Sequence, residues 1–329
     1  MVTSRFYRSL IATMLALAMV LTACGGEDPD EGAEEGEELA LDLEDEEDEG
    51  ADEADEADET DEADGEDEGD DEAEEGSFDL EGAVVEYAST IPDGWMNEGD
   101  TEAFKEALEV DGAVLIDVRE ESEFAEGHIP GAVNIPIRTL GDNLSAIPTD
   151  QPVWVVCASG WRAGLATSSL RMMGYDNVNA YAPSVQGWEE AGEELVNEDN
   201  QPEDFGDPGL EPEMVEAVSG FLAGIPDGYY GNSLDEVKQA MDAGTTILDV
   251  RQPEEYEEGH IADALSLPLR EIGSSDVEIP TDSNVIVMCQ SGYRAALALP
   301  ILHVLGYDNV QAFPGSFAAW EEADEPIES

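Results

Sequence analysis

The chain has 329 residues, with 82 Asp and Glu against 11 Lys and Arg, for a formal net charge of −71. Its length fits about two domains. The charge excludes a nucleic-acid binder, which needs a basic face to displace counterions from phosphates, and a polybasic membrane-surface protein for the same reason.

In chain order, the first segment reads as an export signal. Arg5 and Arg8 form a short positive region, and the apolar run Leu10 to Val20 is too short to span a bilayer as a helix. It ends in Leu21-Thr22-Ala23-Cys24-Gly25, which resembles the bacterial lipobox, with a small residue directly before the cysteine that receives the lipid. Residues 1–24 are therefore expected to be a lipoprotein signal. Cys24 would carry acyl chains that hold the mature protein to a lipid bilayer on its extracytoplasmic side.

Residues 25–80 read as a disordered acidic spacer. Between 27 and 76 there are 32 acidic side chains, no basic ones and no aromatics. Such a segment cannot bury enough apolar surface to offset the entropy of ordering. As a random coil it would span about 40 Å, and further with its charges repelling. The remaining 77–329 still holds 50 acidic and 9 basic residues, a net −41 that implies a salt-rich working environment, where the Debye length shrinks to a few ångströms.

From there the chain repeats itself. Ile116-Asp117-Val118-Arg119 returns as Leu248-Asp249-Val250-Arg251, Gly127-His128-Ile129 as Gly259-His260-Ile261, Cys157 as Cys289 and Trp188 as Trp320, all at one constant offset. Upstream the register differs, with Ile91-Pro92-Asp93-Gly94 returning as Ile225-Pro226-Asp227-Gly228. Two copies of this size predict tandem globular domains, not a solenoid of short repeats. The expected boundaries are 81–197 for the first domain, 198–208 for a polar linker and 209–329 for the second. The continuous runs Ala113–Ile116 and Val153–Val156 predict strands buried on both faces, while Phe104–Leu108 and Ala163–Met173 carry helical spacing. Strands alternating with helices predict an α/β fold, a mainly parallel sheet with helices on both faces in each copy.

Each copy has one cysteine directly after a buried strand, in Cys157-Ala158-Ser159-Gly160-Trp161-Arg162 and Cys289-Gln290-Ser291-Gly292-Tyr293-Arg294. A strand–loop–helix passage aims several backbone N–H groups at one point, and the helix N-terminus adds partial positive charge. A cysteine placed there is expected to react as a thiolate. Gly160 and Gly292 let the loop curl, and Arg162 and Arg294 offer planar donor forks suited to an oxyanion.

The Asp-Val-Arg strand end, the Gly-His-Ile triplet, the Cys-x-x-Gly-x-Arg loop and the C-terminal Trp resemble rhodanese domains over nearly all of 85–195 and 218–325. The resemblance implies two tandem rhodanese-like domains and sulfurtransferase chemistry without a cofactor. Cys157 and Cys289 would take sulfane sulfur from a thiosulfate-like anion as persulfides and pass it to a thiol or cyanide. The loop amides would stabilise the anionic persulfide. Arg162 and Arg294 would hold the donor's sulfonate, with Ser159, Gly160, Trp161, Ser291, Gly292 and Tyr293 shaping the substrate site. The related phosphatases need one more loop residue, so the four residues between each Cys and Arg favour sulfur over phosphate. A persulfide carrier serving an unidentified protein partner is the alternative.

Some motifs depart from the family pattern. Ala262-Asp263-Ala264 replaces Pro130-Gly131-Ala132, and a glycine pair expected before the last Trp reads Pro183-Ser184 in one copy and Pro314-Gly315 in the other. Asp117 with Arg119, and Asp249 with Arg251, read as loop-bracing ion pairs. His128, His260 and His303 lack metal-ligand spacing, so no metal is expected.

Overall fold

The computed structural model describes residues 77–329. The expected signal, Cys24 and the spacer up to residue 76 lie outside the described residues. The two modules belong to one compact unit.

The first module runs α1 (Leu80–Thr90), β1 (Asn97–Glu98), α2 (Thr101–Leu108), β2 (Val114–Asp117), α3 (Glu121–Glu126), β3 (Val133–Asn134), β4 (Val153–Val156), α4 (Trp161–Met173), β5 (Val178–Tyr181) and α5 (Ser184–Glu190). The second runs α6 (Pro212–Ala223), α7 (Leu234–Asp242), β6 (Thr246–Asp249), α8 (Pro253–Glu258), β7 (Leu265–Ser266), β8 (Val285–Met288), α9 (Tyr293–Val304), β9 (Val310–Ala312) and α10 (Ser316–Glu322). Strand order is β1-β5-β4-β2-β3 in one sheet and β7-β6-β8-β9 in the other, with every pairing parallel. The counterpart of β1 shrinks to a single parallel bridge between Gly231 and Ala312.

Local chemistry sets the element ends. Asp100 caps α2 through the Ala103 N–H, and Ser233 and Glu236 close a capping box on α7. α4 starts after Gly160 and stops at Gly174, both in the left-handed region at φ +95° and +114°.

Each sheet has an outer and an inner face. Phe104, Tyr181 and Trp188 pack on the outer face of the first, and Phe313, Phe317 and Trp320 on that of the second. The inner faces share one apolar core that runs from Ile116 and Val155 through Leu165 and Leu297 to Leu248 and Val287. At its centre α4 lies against α9, close enough that a Cβ on Gly164 would stand 2.8 Å from the Ala296 Cβ. Because α4 is sandwiched between modules, almost its whole circumference is buried, including Thr167, Ser168 and Ser169.

The first helix of each copy packs on the other copy. α1 lies on α9 and the short turn Leu269–Glu271, whereas α6 lies on α4 and the turn Ile137–Asp142. A boundary at 209 therefore cuts ahead of a helix that packs on the first module. The residues after each helix cross too: Arg138 donates to the carbonyls of Ile225 and Pro226, and Arg270 to the carbonyl of Ile91 and the carboxylate of Asp93.

Candidate active site

Each cysteine sits at the C-terminal end of its central strand, 1% exposed. The loop that follows is held from behind. Val185 and Gln186 donate N–H to the carbonyls of Cys157 and Ala158, and Phe317 and Ala318 do so to Cys289 and Gln290. With loop carbonyls turned onto the starts of α5 and α10, the loop amides turn inward. The Gly160 N–H lies 3.1 Å from the Cys157 sulfur, and the Gly292 N–H 3.1 Å from that of Cys289. The first-turn N–H groups of α4 and α9 have no partner within their helices and add to the positive field there.

The glycines are required by geometry. Both take φ near +95°, and a Cβ would stand 2.2 Å from the carbonyl oxygen of Ala182 at Gly160, or of Pro314 at Gly292. Left-handed backbone also occurs at Ser184 and Ser316, φ +55° and +50°, both fully buried. Their hydroxyls accept the cysteine N–H at 3.1 and 3.0 Å and stand 3.9 Å from each sulfur. These serines pair with each other, and Pro183 pairs with Gly315, so the counterpart of Pro183-Ser184 in the second copy is Gly315-Ser316, one position after the expected Pro314-Gly315.

The arginines differ from a free fork facing a donor. Arg162 donates through both terminal nitrogens to Glu123, at 2.5 and 2.6 Å, and Arg294 to Glu255 at 2.5 and 2.7 Å. Burial works against the charge of Arg162, but Glu123 and then Cys157 outweigh it and hold the guanidinium protonated more firmly than usual. Arg294 behaves alike with Glu255 and Cys289. The arginines in turn hold both carboxyls below the ordinary carboxylate range. Each loop thus carries a fixed positive charge beside its sulfur, locked by a carboxylate from the helix after the Asp-Val-Arg strand. Sequence reasoning missed Glu123, Glu255, Ser184 and Ser316, although each pair obeys the same constant offset that relates the two cysteines.

Asp117 and Arg119 form a buried bidentate pair, and Arg119 also donates to the carbonyl of Gly127 at 2.7 Å. Asp249 and Arg251 match it, with the Arg251 guanidinium 3.9 Å from the Phe317 ring centre. These pairs tie the strand ends to the Gly-His-Ile turns. His128 and His260 bond backbone carbonyls of Phe124 and Tyr256 and stack on those rings. Among the described residues no cluster of His, Cys, Asp and Glu could hold a metal ion.

Between the loops lies a chamber of about 270 Å³, lined by residues 159–161 with Ala182 and by residues 291–293 with Pro314. Each loop is roofed by an aromatic residue from the other copy's crossing segment. The Tyr229 ring lies 4.9 Å from the Arg162 guanidinium, its carbonyl accepts the Trp161 indole N–H at 2.9 Å, and its hydroxyl donates to Glu120 at 2.7 Å. Trp95 lies 5.2 Å from the Arg294 guanidinium. Trp95-Met96 and Tyr229-Tyr230 are consecutive left-handed pairs, a local strain that the packing of both copies sustains.

A model of the rhodanese-like domain matches residues 100–191 and 233–323. A sulfurtransferase of Allochromatium vinosum is 31% identical over 102 residues, which span 31% of this chain and 95% of that protein. The 3-mercaptopyruvate sulfurtransferase of Escherichia coli K12 is 26% identical over 246 residues, 63% of this chain and 85% of that protein. YqhL of Bacillus subtilis is 41% identical over 76 residues, 23% of this chain, and the chain spans 60% of its length.

Proposed function

The chain belongs to the rhodanese family, with two of its domains in tandem, and from that premise we propose that it is a sulfurtransferase working through persulfides on Cys157 and Cys289. A cysteine thiolate attacks the sulfane sulfur of a thiosulfate-like donor. The new S–S bond forms as the donor's S–S bond breaks, and sulfite leaves with the electron pair. A thiol or cyanide acceptor then attacks the outer sulfur, and the cysteine thiolate is regenerated. No net oxidation occurs at the protein.

The observation that carries this reading is the glycine N–H 3.1 Å from each sulfur. It comes from a loop whose carbonyls are tied away behind. Such a cradle stabilises a thiolate or persulfide with no reorganisation during reaction. Since Arg162 and Arg294 are paired with carboxylates, their part is to order the loop and supply a positive field, with a weaker claim on the donor's sulfonate. The export-signal pattern and its lipobox support a lipid anchor at Cys24 and an extracytoplasmic location.

The test is intact mass after thiosulfate, on the full chain and on Cys157→Ser and Cys289→Ser variants, followed by transfer to cyanide. The expected result is one added sulfur per intact loop and turnover that vanishes in the double variant. Undiminished transfer without either cysteine would end the proposal. Sulfur loading with no turnover on any acceptor would make the protein a persulfide carrier.

A further inference from the structure

The two loops share one design but differ in the charge placed behind their arginines. At the first, the Tyr229 ring lies between the guanidinium groups of Arg138 and Arg162, at 4.7 and 4.9 Å. Its hydroxyl donates to Glu120 at 2.7 Å and accepts from Arg162 at 3.3 Å. Arg138 donates to the same Glu120 oxygen. The Glu120 carboxylate thus stands one hydroxyl away from the loop arginine, in addition to Glu123, which binds it directly.

The second copy repeats the frame and omits the charge. Trp95 lies between Arg270 and Arg294, at 4.9 and 5.2 Å, and has no hydroxyl. Arg270 is placed as Arg138 is, since each donates through Nε to an isoleucine carbonyl of the other copy. Gln252 takes the place of Glu120 as the residue that starts the helix after the Asp-Val-Arg strand. Among the described residues its buried amide nitrogen has no hydrogen-bond partner, and a buried donor left unpaired opposes folding. The other bonded charges match in pairs: Glu123 with Glu255, Asp227 with Asp93, and Asp117–Arg119 with Asp249–Arg251. The remaining glutamates of α3 and α8 are exposed, where water and salt screen them.

Resting on the sulfurtransferase reading, we propose that Glu120, held by Tyr229 and Arg138, is a specificity-determining residue that turns Cys157 away from dianionic donors. Cys289, free of this charge, is then the loop that loads sulfur from a thiosulfate-like dianion. Cys157 is left to sulfane-sulfur donors of lower charge, such as an organic persulfide. The physical reason is that a carboxylate repels an incoming dianion about twice as strongly as a monoanion, and a neutral reagent not at all.

Alkylation of the full chain, followed by peptide mass at each cysteine, reads this field without sulfur transfer. The thiolate displaces iodide from anionic iodoacetate or from neutral iodoacetamide, and the ratio of the two rates cancels differences in thiolate content. At low salt the ratio should be severalfold higher at Cys289 than at Cys157, and the two should converge in high salt. Glu120→Gln should raise the ratio at Cys157, and Gln252→Glu should lower it at Cys289. Equal ratios in wild type, or a Cys157 ratio unmoved by Glu120→Gln, would overturn the proposal. Persulfide loading from thiosulfate, compared between Cys157→Ser and Cys289→Ser, should be faster where Cys289 is kept, and the reverse order would refute it. Should neither cysteine load sulfur, the sulfurtransferase reading fails while the alkylation ratios still judge the charge at Glu120.

Discussion

Gly160→Ala, made in a Cys289→Ser background so that only the first loop reports, separates the cradle from the fold. The left-handed backbone at φ +95° costs an alanine about 1 kcal/mol. The larger effect is steric. The new Cβ would stand 2.2 Å from the carbonyl oxygen of Ala182, and real Cβ atoms do not approach closer than 3.0 Å, so the loop must retreat by most of an ångström. The N–H to sulfur distance starts at 3.1 Å and would lengthen toward about 3.9 Å, leaving a far weaker contact. Losing one preorganised donor of this kind costs roughly 100- to 1,000-fold in turnover. Gly192→Ala is the matched control, with φ +85° and no atom within 4 Å of the added Cβ. It should share the backbone cost of about 1 kcal/mol and keep full activity. Thiosulfate-to-cyanide transfer and thermal unfolding of both variants decide the matter. A Gly160→Ala protein that turns over at the parent rate would refute the cradle.

Removing a buried charge partner should be costlier to the fold than to the chemistry. Asp117→Asn leaves Arg119, 6% exposed, without its carboxylate, and urea unfolding should show a loss of about 3–5 kcal/mol. Glu123→Gln and Glu255→Gln release the loop arginines, and single-cysteine backgrounds should show about a tenfold fall in turnover, near the effect of losing one charge-assisted contact. The same carboxyls predict a pH trend. Arg162 and Arg294 hold Glu123 and Glu255 below their ordinary value of 4.5, so the pairs stabilise the fold fully above that value. The stabilisation is lost as pH falls through the lower folded values. The double Glu→Gln variant should therefore lose less melting temperature than wild type between pH 5 and pH 3, on the order of these carboxylate titrations, and equal losses would contradict the pairing. Added salt should raise the melting temperature by screening the −41 carried by residues 77–329. A flat salt response would argue against charge repulsion as a limit on stability.

The sequence alone determined each module. Continuous apolar runs predicted the strands at 113–116 and 153–156, and β2 and β4 fall at Val114–Asp117 and Val153–Val156. A strand buried on both faces must be apolar throughout, and that signal is local in the chain. The cysteine loops were legible for the same reason, since cradle, nucleophile and charge sit together in one short stretch. Glu123, Glu255, Ser184 and Ser316 were harder to see. They lie far from the cysteines along the chain, and only the repeat offset marks them among many acidic and small residues.

What only the tertiary structure decided is how the two copies use each other. α1 and α6 are short apolar helices that either module could bury, and nothing local in them says which one does. The exchange places Trp95 over the second loop and Tyr229 over the first, and it turns two loops toward one chamber. The crossing left one mark in the chain: Ile91-Pro92-Asp93-Gly94 returns as Ile225-Pro226-Asp227-Gly228, out of the register that everything downstream keeps. Composition and pattern say which residues must be buried. The choice of surface is made where α4 meets α9, inside the one apolar core that the inner faces of both sheets share.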